Sequence, residues 1–245
     1  MTALQALFVD LAVQDGVTPA QVGQLGATGA PWSGAIFQCS NGLSMGGAWF
    51  SECWNAAGGR AIADYGTAWF RGAYAYLRVD ESGSQQADIA LSAVDAAGGW
   101  DVGDLWMGVD IERGEQPANA TAAQVEAVVT AFAKRILEKT GKRPMLYAGS
   151  YTRDLGIKSR MGCALLWFPQ WSSVLNWATV TRMGFDENTT LLWQDVGDGS
   201  NTAPLGYPHT TPIGDNLDIS ILVRANLPYA EGVEWLRTHI GAQPT

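Results

Sequence analysis

Residues 105–149, LWMGVDIERGEQPANATAAQVEAVVTAFAKRILEKTGKRPMLYAG, read as strand, helix, strand. Leu105–Glu112 and Pro144–Gly149 are short, nearly continuous apolar runs, the pattern of strands covered on both faces of a parallel sheet. Between them, Thr121–Lys139 carries Val125, Val128, Val129, Phe132 and Ile136 on one helical face. Thr121 and Gln124 form a capping box at its start, and Gly141 closes its end. A strand, a crossover helix and a parallel strand make a βαβ unit, so this segment predicts an α/β protein.

The pattern extends in both directions. Upstream, Leu4–Asp10, Gly34–Ser40 and Trp69–Arg78 read as strands, with helices over Trp49–Ala57 and Ser84–Ala97. Downstream, Leu165–Trp171, Thr190–Val196 and Asn216–Val223 complete eight strands. The helices shrink after the fifth strand: Thr152–Arg160 is short, and Ser172–Asn188 and Gly197–Asp215 read as loops. A length of 245 residues suits one α/β barrel, which typically takes about 250. Residues 1–226 are assigned to that barrel, and 227–245 to a tail, a short helix or linker stub.

Composition narrows the function. With 24 Asp+Glu against 15 Lys+Arg the net charge is −9, which disfavours nucleic acid and anionic membrane as partners. No apolar run approaches the ~18 residues of a membrane span. The opening MTALQALFVDLAVQDG has no basic stretch and reaches Asp10 early, so it does not read as a secretory signal; synthesis in the cytoplasm is the expectation. Cys39, Cys53 and Cys163 are odd in number, lack a Cys-x-x-Cys, and read as buried thiols of a reducing compartment. Only two histidines occur, His209 and His239, so no histidine-rich zinc site is expected, and a Ser-His-Asp triad would need one of them. Phosphate-binding and nucleophile-elbow motifs are missing too. The chemistry falls to carboxylates.

Asp10 closes the first strand, Asp110 and Glu112 the fourth, and Asp218 sits early in the last. Strand ends of a parallel barrel converge on one mouth, where active sites are built. Asp110 and Glu112 are two residues apart, so both face one way with Ile111 opposite, their Cβ atoms roughly 6.5–7 Å apart. Such close carboxylates repel, which raises one pKa, expected at Glu112. A protonated acid beside an ionised one suits glycosidic cleavage. An Asp-x-Glu alone is commonplace, solvated in a loop or paired with a neighbour such as Arg113; the weight comes from four acids at strand positions. Tyr74, Tyr76, Tyr147, Trp167, Trp171 and Trp193 lie in the same strands and offer faces for sugar rings. Eleven tryptophans exceed what a core is expected to need.

The series FVDLAVQDG, GAYAYLR, LWMGVDIE, RPMLYAGSYT, LLWFPQW, LLWQDVGDG and DNLDISIL, in this order, resembles the family 25 glycoside hydrolases, over about residues 7–226. The resemblance implies an irregular TIM-like barrel, about five βα units followed by three further strands, needing no metal or cofactor. By the same resemblance Glu112 is the proton donor, Asp110 assists or stabilises the charged intermediate, and Asp10 and Asp218 complete the catalytic cluster. Tyr74, Tyr147, Trp167 and Gln194 match groove positions, and Tyr76 stands beside them. Ala12, Gln38, Tyr74-Ala75-Tyr76 and Phe168-Pro169 depart from the family pattern around the groove, and the 197–215 loop has no counterpart.

The activity implied is that of a lysozyme cleaving the β-1,4 bond between N-acetylmuramic acid and N-acetylglucosamine. Its partner would be bacterial cell-wall peptidoglycan, with no nucleic acid and no membrane insertion. The setting expected is a phage endolysin released by a holin, or a virion-associated lysin. The alternative is a non-catalytic barrel serving as a structural or glycan-binding virion component. The four acids favour the enzyme, because a binding module has no use for a proton donor.

Overall fold

The computed structural model describes residues 6–28, 32–63, 69–101, 104–171, 175–197, 211–213, 217–223, 231–232 and 234–236, with backbone only at 59–63 and 196. The elements in chain order are β1 (Leu7–Leu11), α1 (Pro19–Thr28), β2 (Trp32–Asn41), β3 (Ser44–Met45), α2 (Gly47–Ala63), β4 (Phe70–Tyr76), α3 (Gly83–Ala96) and β5 (Met107–Asp110). They continue with α4 (Ala122–Thr140), β6 (Met145–Tyr147), α5 (Ser150–Asp154), β7 (Leu165–Pro169), α6 (Trp177–Arg182), β8 (Thr190–Val196) and β9 (Asp218–Leu222).

Strands β1, β2, β4, β5, β6, β7 and β8 lie side by side, all parallel. Strand β9 fits antiparallel between β8 and β1 and closes the ring. The result is an eight-stranded α/β barrel, with β3 a short antiparallel flap on β2. All eight strands expected from the sequence are barrel strands. At this strand number the interior is just wide enough to be filled by side chains.

Period-two alternation sorts the strands into two cores. Leu7, Val9, Phe37, Val109, Leu146 and Ile219 face out and pack under the helices. Phe8, Ile36, Phe70, Met145, Leu192 and Leu222 face in and fill the barrel. The described tail residues 231–232 and 234–236 are helical. Leu236 is fully buried in the interior cluster, and a Cβ on Gly232 would come within 3.0 Å of the Leu222 side chain. The tail therefore packs against the barrel end opposite the C-terminal tips of the parallel strands.

Helix α4 has the caps its sequence predicts: Thr121 Oγ1 accepts from the Gln124 N–H at 3.3 Å, and Gly141 adopts φ 73°. The same box, Thr18 with Gln21, starts α1, where Pro19 takes the first helical position. That signal is legible in the sequence. Helix α6 corrects the expectation of a loop over Ser172–Asn188. Its six residues, capped by Asn176, bury only Val180, too little for an apolar period to register. Helix α2 also runs past the expected Ala57.

A buried clamp ties α2 to β4. Arg71 donates to both Asp104 oxygens at 2.9 and 3.0 Å, to Asp101 at 2.7 Å and to the Trp54 carbonyl at 3.0 Å, and its guanidinium stacks 4.0 Å from the Trp54 ring. The cysteines are free and buried, and burial pushes the thiols up, to about 12 at Cys39 and about 11 at Cys53. Among the described residues no helix is long and apolar enough to cross a membrane. His209, His239 and nearly all of the 197–215 loop lie outside the described residues.

Candidate active site

The parallel strands present their C-terminal ends at one mouth, and β9, being antiparallel, presents its first residue there. Asp10 and Asp218 consequently stand directly opposite each other on adjacent strands. A cavity of about 280 Å³ opens at this mouth, and Asp10, Asp110, Glu112 and Asp218 all line it. Tyr74, Tyr76, Tyr147 and Trp167 form its aromatic part.

Asp110 and Glu112 share one side of their strand, as the spacing requires, while Ile111 between them is fully buried on the other. Their environments differ. Strand β5 ends at Asp110, which is only 7% exposed, and its Oδ1 has no hydrogen-bond partner among the described residues. Burial, then the charges of Glu112 and Asp218, push the Asp110 carboxyl well above the ordinary range. Asp10 is raised in the same way, by burial first and then by Asp218, Asp15, Asp110 and Glu112. Glu112, two residues past the strand's end, is exposed at the rim. Burial thus falls on Asp110 and Asp10, whereas Glu112 stands exposed at the rim.

Like charges facing each other across paired strands destabilise a sheet, and Gln194 on β8 offsets this at Asp10 and Asp218. Its Nε2 donates to Asp218 at 2.7 Å and to Asp10 at 3.2 Å, while its Oε1 accepts from the Tyr147 hydroxyl at 2.6 Å. Gln194 is 1% exposed and sits behind the cavity wall. Expected at the groove, it bonds both acids from a buried position and is not among the residues that line the cavity. Burial and the surrounding carboxylates raise the Tyr147 phenol, so it remains a donor. Trp167 is held by a 2.8 Å bond from its indole N–H to Ser220 Oγ, with Tyr147 and Tyr74 edge-on at 4.7 and 6.0 Å.

The segment carrying Glu112 is braced by residues at and just after the end of β4. Tyr76 Oη accepts from the Glu115 N–H at 3.1 Å, Arg78 bonds the Glu115 carboxylate at 3.1 Å, and Gln116 donates to the Leu77 carbonyl at 2.7 Å. Gln38, read as a groove position, and Trp171, read as a face for sugar, line the cavity, and so do Gln14 and Asp15, which the sequence does not single out. Asp15 ends a 3-10 turn that directly follows β1, so its nearness in sequence to Asp10 was the available signal. Trp193 faces outward into the helix-covered core, and of the eleven tryptophans Trp167 and Trp171 line the cavity. The abundance of tryptophan is mostly packing. Among the described residues no group of three or more side chains is arranged to hold a metal ion.

A second cavity, about 470 Å³, adjoins the first and shares Glu112 and Trp171 with it. Its wall carries Arg113 and Arg153. Arg113 turns towards Asp154, at 3.6 Å.

The family model for glycosyl hydrolases family 25 matches residues 30–195, which include Asp110 and Glu112 but neither Asp10 nor Asp218. No curated protein sequence matches the chain. The fold is similar to that of a muramidase from Acremonium alcalophilum, with TM-score 0.68 and 19% identity over 95% of this chain and 99% of that one. It is similar also to the lysozyme of Streptomyces coelicolor, with TM-score 0.65 and 20% identity over 96% and 98%. The catalytic domain of endolysin ply40 from bacteriophage P40 of Listeria monocytogenes superposes with TM-score 0.56 and 15% identity over 96% and 98%. At these identities the likeness is one of fold; the family match, which spans more than half of the chain and holds the Asp110–Glu112 pair, establishes that the protein belongs to glycosyl hydrolases family 25.

Proposed function

We propose that the chain is an N-acetylmuramidase, cleaving the β-1,4 bond between N-acetylmuramic acid and N-acetylglucosamine in peptidoglycan with retention. The observation that carries this reading is the unequal pair at the end of β5, an exposed Glu112 beside a buried Asp110 in one cavity. Glu112 gives its proton to the glycosidic oxygen as the C1–O bond breaks. The substrate's acetamido oxygen attacks C1, and Asp110, with an acceptor oxygen to spare, accepts a hydrogen bond from the N–H of the resulting oxazolinium. Water then attacks C1 as the bond from C1 to the acetamido oxygen breaks and the acetamide is restored, while the Glu112 carboxylate removes the water's proton and so regains its acid form. Digesting purified peptidoglycan and weighing the released fragments tests the reading. Muramic acid at the reducing end is the expected product; glucosamine there, or free peptide stems, would overturn it.

The setting proposed is phage lysis, with the protein made in the cytoplasm and released to the wall. The three buried free thiols suit a reducing compartment, and the likeness to a phage endolysin domain is compatible in fold. Expressed alone in a susceptible bacterium, the protein should leave cells intact until a holin or a membrane permeabiliser is supplied. Lysis without either would argue against it.

A further inference from the structure

The cavity beside the catalytic one carries cations, which the first lacks among its described residues. It begins at Glu112 and Trp171, which both cavities share, and it carries Arg113 and Arg153 on its wall. Asp154 pairs with both arginines, at 3.6 Å from Arg113 and 3.2 Å from Arg153. The two guanidinium groups stand between the carboxylates of Asp154 and Glu112, so this cavity offers cations where the first, in a chain of net charge −9, offers only acids. Beneath Arg113, whose guanidinium lies 5.4 Å from its ring centroid, Tyr151 is only 6% exposed and lines the cavity. Its hydroxyl is buried and has no hydrogen-bond partner among the described residues. A buried hydroxyl without a partner costs free energy, so it marks where an acceptor would be stabilised. At about 470 Å³ the space falls in the range of small-molecule pockets, about 300–1,000 Å³.

We propose that this second cavity receives the acidic peptide stem of the muramyl residue being cut, with a stem carboxylate paired to Arg113 and Arg153 above Tyr151. The inference rests on the muramidase reading. A muramyl sugar whose linkage meets Glu112 carries its lactyl-linked stem beside the ring, and the cavity adjoining Glu112 is where a substituent leaving the catalytic mouth on that side arrives. Guanidinium forks match carboxylates in planarity and charge, and Ser150 on the same wall adds a hydroxyl for the stem's amides. The subsite would make the enzyme read the stem as well as the sugar.

The test uses the full-length chain and soluble, uncrosslinked peptidoglycan strands in two forms, untreated or with the stem carboxylates converted to amides. Release of reducing ends gives kcat and KM, and mass spectrometry of the products identifies the bond cut. Wild type should lose about tenfold in kcat/KM on the amidated strands, through KM, as expected for a charge-assisted pair near the surface. The Arg113→Gln/Arg153→Gln protein should show that loss already on untreated strands, and amidation should change it little further. Both arginine side chains are more than half exposed, so the variant should fold, and its melting temperature checks this. Arg113→Lys/Arg153→Lys should recover part of the preference, and Tyr151→Phe should reduce it about twofold. Equal kcat/KM of wild type on the two substrates, or a glutamine variant with wild-type preference, would overturn the subsite while leaving the muramidase reading intact. Products lacking reducing-end muramic acid would overturn the muramidase reading itself, and the inference with it.

Discussion

The two cavities that meet at Glu112 and Trp171 are built on different physics. The first is lined by Asp10, Asp15, Asp110, Glu112 and Asp218, with no cation among its described residues, and two of those acids are buried deeply enough for their carboxyls to be raised. It stands on strands, whose side chains are locked by the barrel. The second stands on the segments after β5, β6 and β7, and its charged groups, Arg113 and Arg153, are mostly in water. Charge on the buried carboxylates of the first acts in a low dielectric, whereas the exposed charge of the second is screened. The first is suited to moving protons and the second to recognition, and effects of mutation should fall in size from one to the other.

The largest effect belongs at the shared corner. Glu112→Gln keeps the shape but removes the acid, so turnover on peptidoglycan should fall about 10²–10⁴-fold with the melting temperature unchanged. A folded Glu112→Gln protein of near wild-type activity would remove the acid cavity's side of the comparison.

Asp110→Asn tests whether burial sets the difference. The native protein holds a proton on Asp110 above the ordinary 3.8 at which the unfolded chain releases it, so stability from this group declines as pH rises through that window. The asparagine variant should lose most of its activity, be more stable than wild type near neutral pH, and lose that advantage in acid. Chemical denaturation at about pH 4.5 and about pH 7.5 measures this. Equal stability at the higher pH would show that Asp110 is not desolvated. The activity profile follows from the same cluster. Its acidic limb, where Asp110 takes up a proton, should lie above the ordinary carboxylate range.

A smaller effect is expected one step behind the wall. Tyr147→Phe removes the donor to Gln194 and loosens the amide that bridges Asp10 and Asp218. A lost buried hydrogen bond of about 1–2 kcal/mol corresponds to roughly tenfold in kcat, with the pH profile displaced. Unchanged kcat and profile would reduce Gln194 to packing.

Trp171→Ala should give the smallest change. Its ring is 55% exposed at the border of both cavities, so KM should rise only about two- to tenfold for stem-bearing and stem-amidated strands alike. A change confined to one substrate would place the ring in one cavity only.

The legible parts share a cause. Strands announce themselves through apolar runs and alternation, and α4 through its period and caps, all properties of neighbouring residues. Asp110 and Glu112 were assignable to one face because a strand's side chains alternate, whatever surrounds it. Helix α6 and strand β3, at six and two residues, were too short to leave a period. Gln194 was legible as a polar residue in an apolar strand, but its partners are 24 and 184 residues away in sequence. Trp171 was legible as an aromatic residue, but no local rule separates a rim tryptophan from a buried one such as Trp54.

The sequence by itself determined the α/β class, the order of the barrel strands, the carboxylates as the chemical groups and the family resemblance, because each depends on residue type at short spacing. Tertiary structure alone decided three matters. The antiparallel entry of β9 brought Asp218 opposite Asp10, since only closure of the sheet gives a strand both of its neighbours. The end of β5 at Asp110 put that acid in the dry interior and left Glu112 in water, because desolvation is set by what surrounds a side chain and not by its identity. The arginine-lined cavity exists because segments distant in the chain meet at one rim, and the field there is the sum of charges that folding alone gathers.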